Sequence, residues 1–126
     1  MTPRFPARRF LTGLAASVVL TGCGPTPPQA PLQQAKKLDA STSDIATECG
    51  LTYQVTAFRG DHRKDLANLE AEASASVHSL ASVYVRNPNW IYQGETVRQI
   101  VADATEMLRE CGLHRAERTL RRATSM

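Results

Sequence analysis

The amino-acid sequence predicts an all-α fold, a small bundle of three to four helices that occupies residues 41–126. The first observation behind this prediction is that apolar side chains recur at steps of three and four residues, the period of a helix with one buried face. The second is that no pair of segments alternates convincingly between polar and apolar residues, and a lone strand would leave its backbone groups unpaired. A chain of 126 residues also has room for only one domain.

Two apolar stripes define the central helices. The first stripe comprises Leu66, Leu69, Ala73, Val77, Leu80 and Tyr84, and the second comprises Val97, Ile100, Val101, Ala104, Leu108 and Cys111. The first helix is expected to end near Arg86, because Pro88 disfavours a helical conformation for the residue before it. Gly112 is expected to form a left-handed cap on the second helix, with Leu113 folding back on Leu108.

Residues 113–123 predict a last and weaker helix. Its apolar line consists of Leu113, Ala116 and Leu120. Because so narrow a stripe offers little surface to bury, we expect this helix to pack loosely or to fray.

The segment from Ile45 to Thr56 has two interpretations. Its apolar positions fit a helix face, with Ser43 or Asp44 as the cap. Residues 51–57 also alternate in the way a strand does. We choose the helix, with a possible break at Gly50, because the chain offers no partner strand.

The first 23 residues have the organisation of an export signal. Three arginines precede an apolar run over residues 10–20 that is too short to span a bilayer. The run ends in Leu20-Thr21-Gly22-Cys23. This segment resembles the lipobox of bacterial membrane lipoprotein precursors. Arg8-Arg9 also resembles the twin-arginine signal, although Phe10 follows the pair directly, so the export route stays open.

The lipobox resemblance implies where the protein is held. Residues 1–22 would be a cleaved signal peptide, and Cys23 would carry a diacylglycerol and become the mature N-terminus. Acyl chains of the palmitate type would then anchor the protein stably on the extracytoplasmic face of the cell membrane. Residues 23–40 would form a lipid-anchored tether, since four prolines in this stretch favour an extended polyproline II conformation. Fifteen such residues would span roughly 45 Å.

Lipidation of Cys23 would leave Cys49 and Cys111 as a pair, which we expect to form a structural disulfide in an oxidising compartment. Closing a loop of this length would stabilise the fold by about 4 kcal/mol. A redox-active pair is not expected, because no Cys-x-x-Cys spacing occurs. Cys111-x-x-His114 has a ligand-like spacing, but no second close pair accompanies it, so no metal site is predicted.

The sequence contains none of the motifs that would indicate an enzyme or a cofactor. There is no Gly-x-Ser-x-Gly, Ser-x-x-Lys or His-Glu-x-x-His pattern and no glycine-rich phosphate loop. We therefore expect a non-enzymatic structural or protein-interaction module whose partner is an envelope protein or a cell-wall component.

The segment 87–96 holds two candidate binding residues, Trp90 and Tyr92. We expect Trp90 and Ile91 to plug the end of the bundle; the alternative is a contact for a protein or a cell-wall glycan. Together with the repeated Glu-Cys-Gly-Leu at 48–51 and 110–113, this segment resembles small helical lipoproteins of no assigned activity. That resemblance supplies no catalytic residue.

Charge points to a second candidate surface. Three arginines spaced by three, Arg115, Arg118 and Arg121, lie along one side of the last helix. They could contact anionic headgroups or an acidic polymer, or simply complement the helix dipole in solvent. The formal charge of +3 is not a sign of nucleic-acid binding, because removing residues 1–22 leaves 12 basic against 12 acidic residues.

Overall fold

The computed structural model describes residues 28–125, where four helices form a bundle and a two-stranded hairpin caps one end. The elements in chain order are α1 (Leu32–Thr56), α2 (Arg63–Arg86), β1 (Ile91–Tyr92), β2 (Glu95–Thr96), α3 (Val97–Cys111) and α4 (His114–Thr124). The predicted all-α fold is confirmed.

Helix α1 settles the ambiguity over residues 51–57 and corrects the predicted tether. The helix passes through Gly50 without a break, so the alternating segment is helical up to Thr56. It also begins at Leu32, not after residue 40, so the predicted domain boundary is too late. Pro31 stands at the helix start, and no proline follows it in α1. Burial of Leu38 in the core then holds the first turns in place.

The hairpin and the segment before α1 are joined through the backbone. Gln93 and Gly94 both have positive φ, 51° and 86°, which is typical of the type I′ turn that suits a two-residue hairpin. On the other side of β1, the Ile91 N–H donates to the carbonyl oxygen of Pro28, and the Ala30 N–H donates to the carbonyl oxygen of Ile91, both at 2.9 Å. The described part of the predicted tether is therefore bonded to the domain.

Both ends of α3 form the helix caps that their residues favour. At the N-terminus, Thr96 Oγ1 accepts from the Gln99 N–H while the Gln99 side chain accepts from the Thr96 N–H, a reciprocal capping box. At the C-terminus, Gly112 has a φ of 91° and the Leu113 N–H donates to the Leu108 carbonyl oxygen at 3.0 Å. The predicted left-handed cap is confirmed.

Helix α4 packs tightly, so the prediction of a loose or fraying helix is wrong. Leu120 and Ala116 have no exposed surface, and Leu113 just before the helix is 1% exposed. Because Ala116 is small, the axis of α4 can approach α2 and α3 closely. The three side chains Leu113, Ala116 and Leu120 are then enough to complete the core on this side. The largest fully buried side chains come from all four helices and from Leu113: Leu38, Ile45, Leu80, Leu108, Leu113, Leu120, Val77, Val83 and Val97.

The helices begin and end at two opposite ends of the bundle. We call residues 28–39, 84–99 and 121–125 the hairpin end, and residues 53–66 and 106–115 the loop end. Helices α1 and α3 start at the hairpin end, while α2 and α4 finish there. Two tyrosine hydroxyls confirm the alignment: Tyr84 donates to the Thr124 carbonyl oxygen at the hairpin end, and Tyr53 donates to that of Glu110 at the loop end, both at 3.3 Å.

Candidate functional site

The two cysteines left in the folded domain are bonded to each other. Cys49 and Cys111 have Cα atoms 5.4 Å apart, inside the normal range for a disulfide, and both are buried. The bond joins the last third of α1 to the last residue of α3 and closes a separation of 62 residues. The predicted disulfide is confirmed.

The repeated Glu-Cys-Gly-Leu tetrapeptide adopts two conformations. Its first copy lies inside α1, with Gly50 helical, whereas the second ends α3, with Gly112 left-handed. The two copies are joined by the bond between their cysteines. They are therefore not equivalent positions of a repeated structural unit.

Glu48, beside the disulfide, is a buried carboxyl group that the sequence analysis did not single out. Burial raises its pKa to about 7, and the negative charges of Asp44 and Glu72 contribute in the same direction. Ser76 of α2 is its hydrogen-bond partner, with Oγ 3.4 Å from both carboxyl oxygens. Helical periodicity could have indicated this burial, because Glu48 lies on the face of α1 on which Ile45 is buried.

Trp90 and Tyr92 lie at the hairpin end, and both rings are half-buried against the core. The Tyr92 hydroxyl donates to Asp39 Oδ1 of α1 at 3.2 Å. The Trp90 carbonyl oxygen accepts the N–H of Val97, the first residue of α3, at 2.8 Å. Both residues thus hold the hairpin on the bundle, while part of each ring still faces solvent.

The three predicted arginines of α4 are exposed, and one of them, Arg121, is paired with a carboxylate. Arg121 Nε donates to Glu117 Oε2 at 2.8 Å, and this contact lowers the pKa of the Glu117 carboxyl. At the start of the helix, Glu70 of α2 accepts the backbone N–H groups of Arg115 and Ala116, at 3.3 and 3.1 Å. The carboxylate of Glu70 thereby satisfies unpaired donors at the positive end of α4.

A shallow groove of about 430 Å³ opens between α2, α3 and α4. The Arg98 guanidinium lies 5.8 Å from the centre of the Tyr84 ring and donates to its hydroxyl at 3.3 Å. Arg121 and Thr124 of α4 also line the groove. The sequence could not predict it, because its residues come from three helices whose packing only the fold decides.

Charge is divided unequally along the bundle. The hairpin end has six basic residues, Lys36, Lys37, Arg86, Arg98, Arg121 and Arg122, against the acidic residues Asp39 and Glu95. The rest of residues 28–125 has six basic and ten acidic residues. The hairpin end also exposes two apolar side chains, Leu32 at 70% and Val85 at 69%. It is therefore a cationic surface with exposed apolar residues.

Within residues 28–125, no group of three or more His, Cys, Asp and Glu side chains is placed to hold a metal ion, and no helix is both long and apolar enough to cross a membrane. Cys23 and the lipobox-like segment lie outside this range. Comparisons with protein-family models, curated proteins and solved structures found no match.

Proposed function

We propose that this protein is a membrane-anchored, extracytoplasmic lipoprotein that serves the cell envelope as a non-enzymatic structural or protein-interaction module. The observation that carries the proposal is that two of the three cysteines pair with each other and the third does not belong to that pair. Cys49 and Cys111 are bonded in the fold, which leaves Cys23 alone at the end of a lipobox-like segment. Disulfides persist in oxidising compartments outside the cytoplasm, so the bond supports the same destination as the signal peptide.

Polar side chains that bond to other side chains of the domain support a structural role. The Glu48 carboxyl is turned to Ser76 between two helices, and the Tyr92 hydroxyl is bonded to Asp39. The Tyr92 hydroxyl bond joins the hairpin to α1, and the Ser76 contact with Glu48 lies between α1 and α2. Disulfide, core and hydrogen bonds together give a rigid body suited to presenting a surface to a partner.

Mass spectrometry of the mature N-terminus tests the anchoring. In a bacterial host with lipoprotein-processing enzymes, we expect the chain to begin at Cys23 and to carry a diacylglycerol mass. Cys23→Ser should abolish both the added mass and cleavage before residue 23. The matched control, Cys49→Ser/Cys111→Ser, should keep both. An unmodified Cys23, or cleavage elsewhere, contradicts the proposal.

The alternative proposal is a ligand- or cell-wall-binding module that uses the Trp90/Tyr92 loop. The half-exposed rings favour it, and their packing against the core opposes it. Since Trp90 is the single tryptophan, its fluorescence can be titrated with soluble peptidoglycan fragments. A saturable change that Tyr92→Ala abolishes would favour this alternative over the structural module, and an unchanged spectrum would count against it.

A further inference from the structure

The distance between the proposed lipid anchor and the folded domain is short. Pro28, the first described residue, comes five positions after Cys23. Even a fully extended chain covers at most about 3.6 Å per residue, so Pro28 lies within about 18 Å of the lipidated residue. This reach is far less than the span of the tether that the prolines alone suggested.

The bonds of Pro28 decide which part of the domain is held near the membrane. Its carbonyl oxygen accepts the Ile91 N–H of the hairpin, and α1 starts four residues later at Leu32. The anchor therefore approaches the bundle at the hairpin end. The loop end lies at the other end of α1, a 25-residue helix about 37 Å long.

The hairpin end has the chemistry of a surface that meets anionic lipid. Its six basic residues outnumber two acidic ones, and among the latter Glu95 is 4% exposed. Lys36 and Lys37 lie only about 6–8 Å along the axis from the start of α1, where long cationic side chains can reach headgroup phosphates. Leu32 and Val85 are exposed beside these cations, and Trp90 belongs to the residue type that membrane interfaces favour.

We propose that the hairpin end rests on the anionic phospholipid surface of the membrane to which Cys23 is attached. Lys36, Arg86 and Arg122 contact headgroup phosphates, while Leu32 and Val85 enter the interfacial layer. The loop end then faces away from the bilayer. This inference rests on the proposed lipid anchor for its geometry and on charge complementarity for its partner.

Trp90 gives a direct test in the lipidated protein. We expect phosphatidylcholine with a spin label on its acyl chain to quench Trp90 fluorescence in vesicles that contain phosphatidylglycerol. The matched control is Trp90→Phe/Phe58→Trp, which moves the single tryptophan to a side chain that is 71% exposed near the loop end. Its fluorescence should stay unquenched. Equal quenching at both positions, or none at Trp90, overturns the proposal.

A second test needs no anchor. The mature chain with Cys23→Ser is sedimented with vesicles of phosphatidylcholine alone or mixed equally with phosphatidylglycerol. We expect binding only to the mixture, and Lys36→Glu/Arg86→Glu/Arg122→Glu should reduce the partition coefficient by at least about 100-fold, since each cation contributes about fivefold. The control Arg59→Glu/Lys64→Glu/Arg115→Glu makes the same charge change at the loop end and should bind as the parent does.

The outcomes separate the two proposals. Absence of lipid on Cys23 removes the anchor but leaves the vesicle assay to decide whether the hairpin end binds anionic lipid. A lipidated protein whose two triple variants bind equally refutes the surface and leaves the anchor intact. Circular dichroism of each variant shows whether the helices are retained, and binding is compared only among variants that keep them.

Discussion

The Ile91 N–H donates to the carbonyl oxygen of Pro28 at 2.9 Å, and this bond ties the start of the described chain to the hairpin. It is reinforced by the Ala30 N–H, which donates back to Ile91. The consequence is that residues 28–31, part of a proline-rich stretch that predicts a spacer, lie along the edge of the folded domain.

Lengthening the chain between Cys23 and Pro28 should allow the domain to move farther from the lipid anchor. Twelve Gly/Ser residues inserted between Pro27 and Pro28 would raise the maximum reach to about 60 Å. In lipidated protein on neutral phosphatidylcholine vesicles, we expect lipid quenching of Trp90 to fall at least about twofold. Appending the same twelve residues after Met126 is the control and should change nothing. Unchanged quenching after the internal insertion would show that reach does not set the position of the hairpin end.

Removing the disulfide should destabilise the fold strongly. Cys49→Ser/Cys111→Ser opens a loop with a sequence separation of 62 residues, for which chain entropy gives a loss of about 4 kcal/mol in the free energy of unfolding. Urea titration followed by circular dichroism measures this loss. The parent protein in reducing agent should unfold at the same midpoint as the variant. A midpoint equal to that of the oxidised parent would mean that the bond contributes nothing.

Glu48 should make stability depend on pH between 4.5 and 7. Its pKa is raised from 4.5 to about 7 in the fold, so in this interval the unfolded chain has released a proton that the folded chain retains. The free energy of unfolding therefore falls as pH rises through the interval, by at most about 3 kcal/mol, and is level above it.

The neutral variant Glu48→Gln tests this directly. At pH 8 it should be more stable than the parent by about 1–3 kcal/mol, and the difference should vanish near pH 4. The control Glu110→Gln removes a carboxylate from an exposed position of α3 and should alter stability much less. If the stability difference between Glu48→Gln and the parent is the same at both pH values, Glu48 does not titrate as inferred.

Tyr84 should stabilise the last turn of α4 through its hydroxyl. The hydroxyl donates to the Thr124 carbonyl oxygen in a partly buried bond and accepts from Arg98 in an exposed one, both at 3.3 Å. Tyr84→Phe should lower the free energy of unfolding by about 1 kcal/mol. Tyr53→Phe is the matched control, because it removes an equally long bond at a side chain that is 57% exposed. Equal losses from both variants would contradict a special role for Tyr84.

Periodicity and capping rules, which depend only on residues close in sequence, were enough to predict the two central helices. The stripes of α2 and α3 lie at positions that face the core in any packing, so periodicity identified them correctly. Gly112 could be predicted as the cap of α3 because the left-handed conformation requires a particular residue at a particular position. The disulfide followed from counting cysteines once Cys23 was assigned elsewhere.

Other features depend on neighbours that are distant in sequence. The start of α1 is fixed by burial of Leu38 and by the bond between Pro28 and Ile91, neither of which leaves a local pattern. Helix α4 has a weak stripe, yet it packs fully because α2 and α3 supply the facing surface. Glu48 acquires its raised pKa chiefly from burial in the folded domain.

The sequence by itself determined the helical class, the two central helices, the cysteine pair and the resemblance to a lipoprotein precursor. These are encoded in residue type and spacing along one segment, which the chain carries whether or not it is folded. Only the tertiary structure decided where α1 begins and how charge is divided between the ends of the bundle. Six cations lie at one end because four helices and a hairpin bring together segments up to about 90 residues apart. No local pattern contains that information, since it is created by packing.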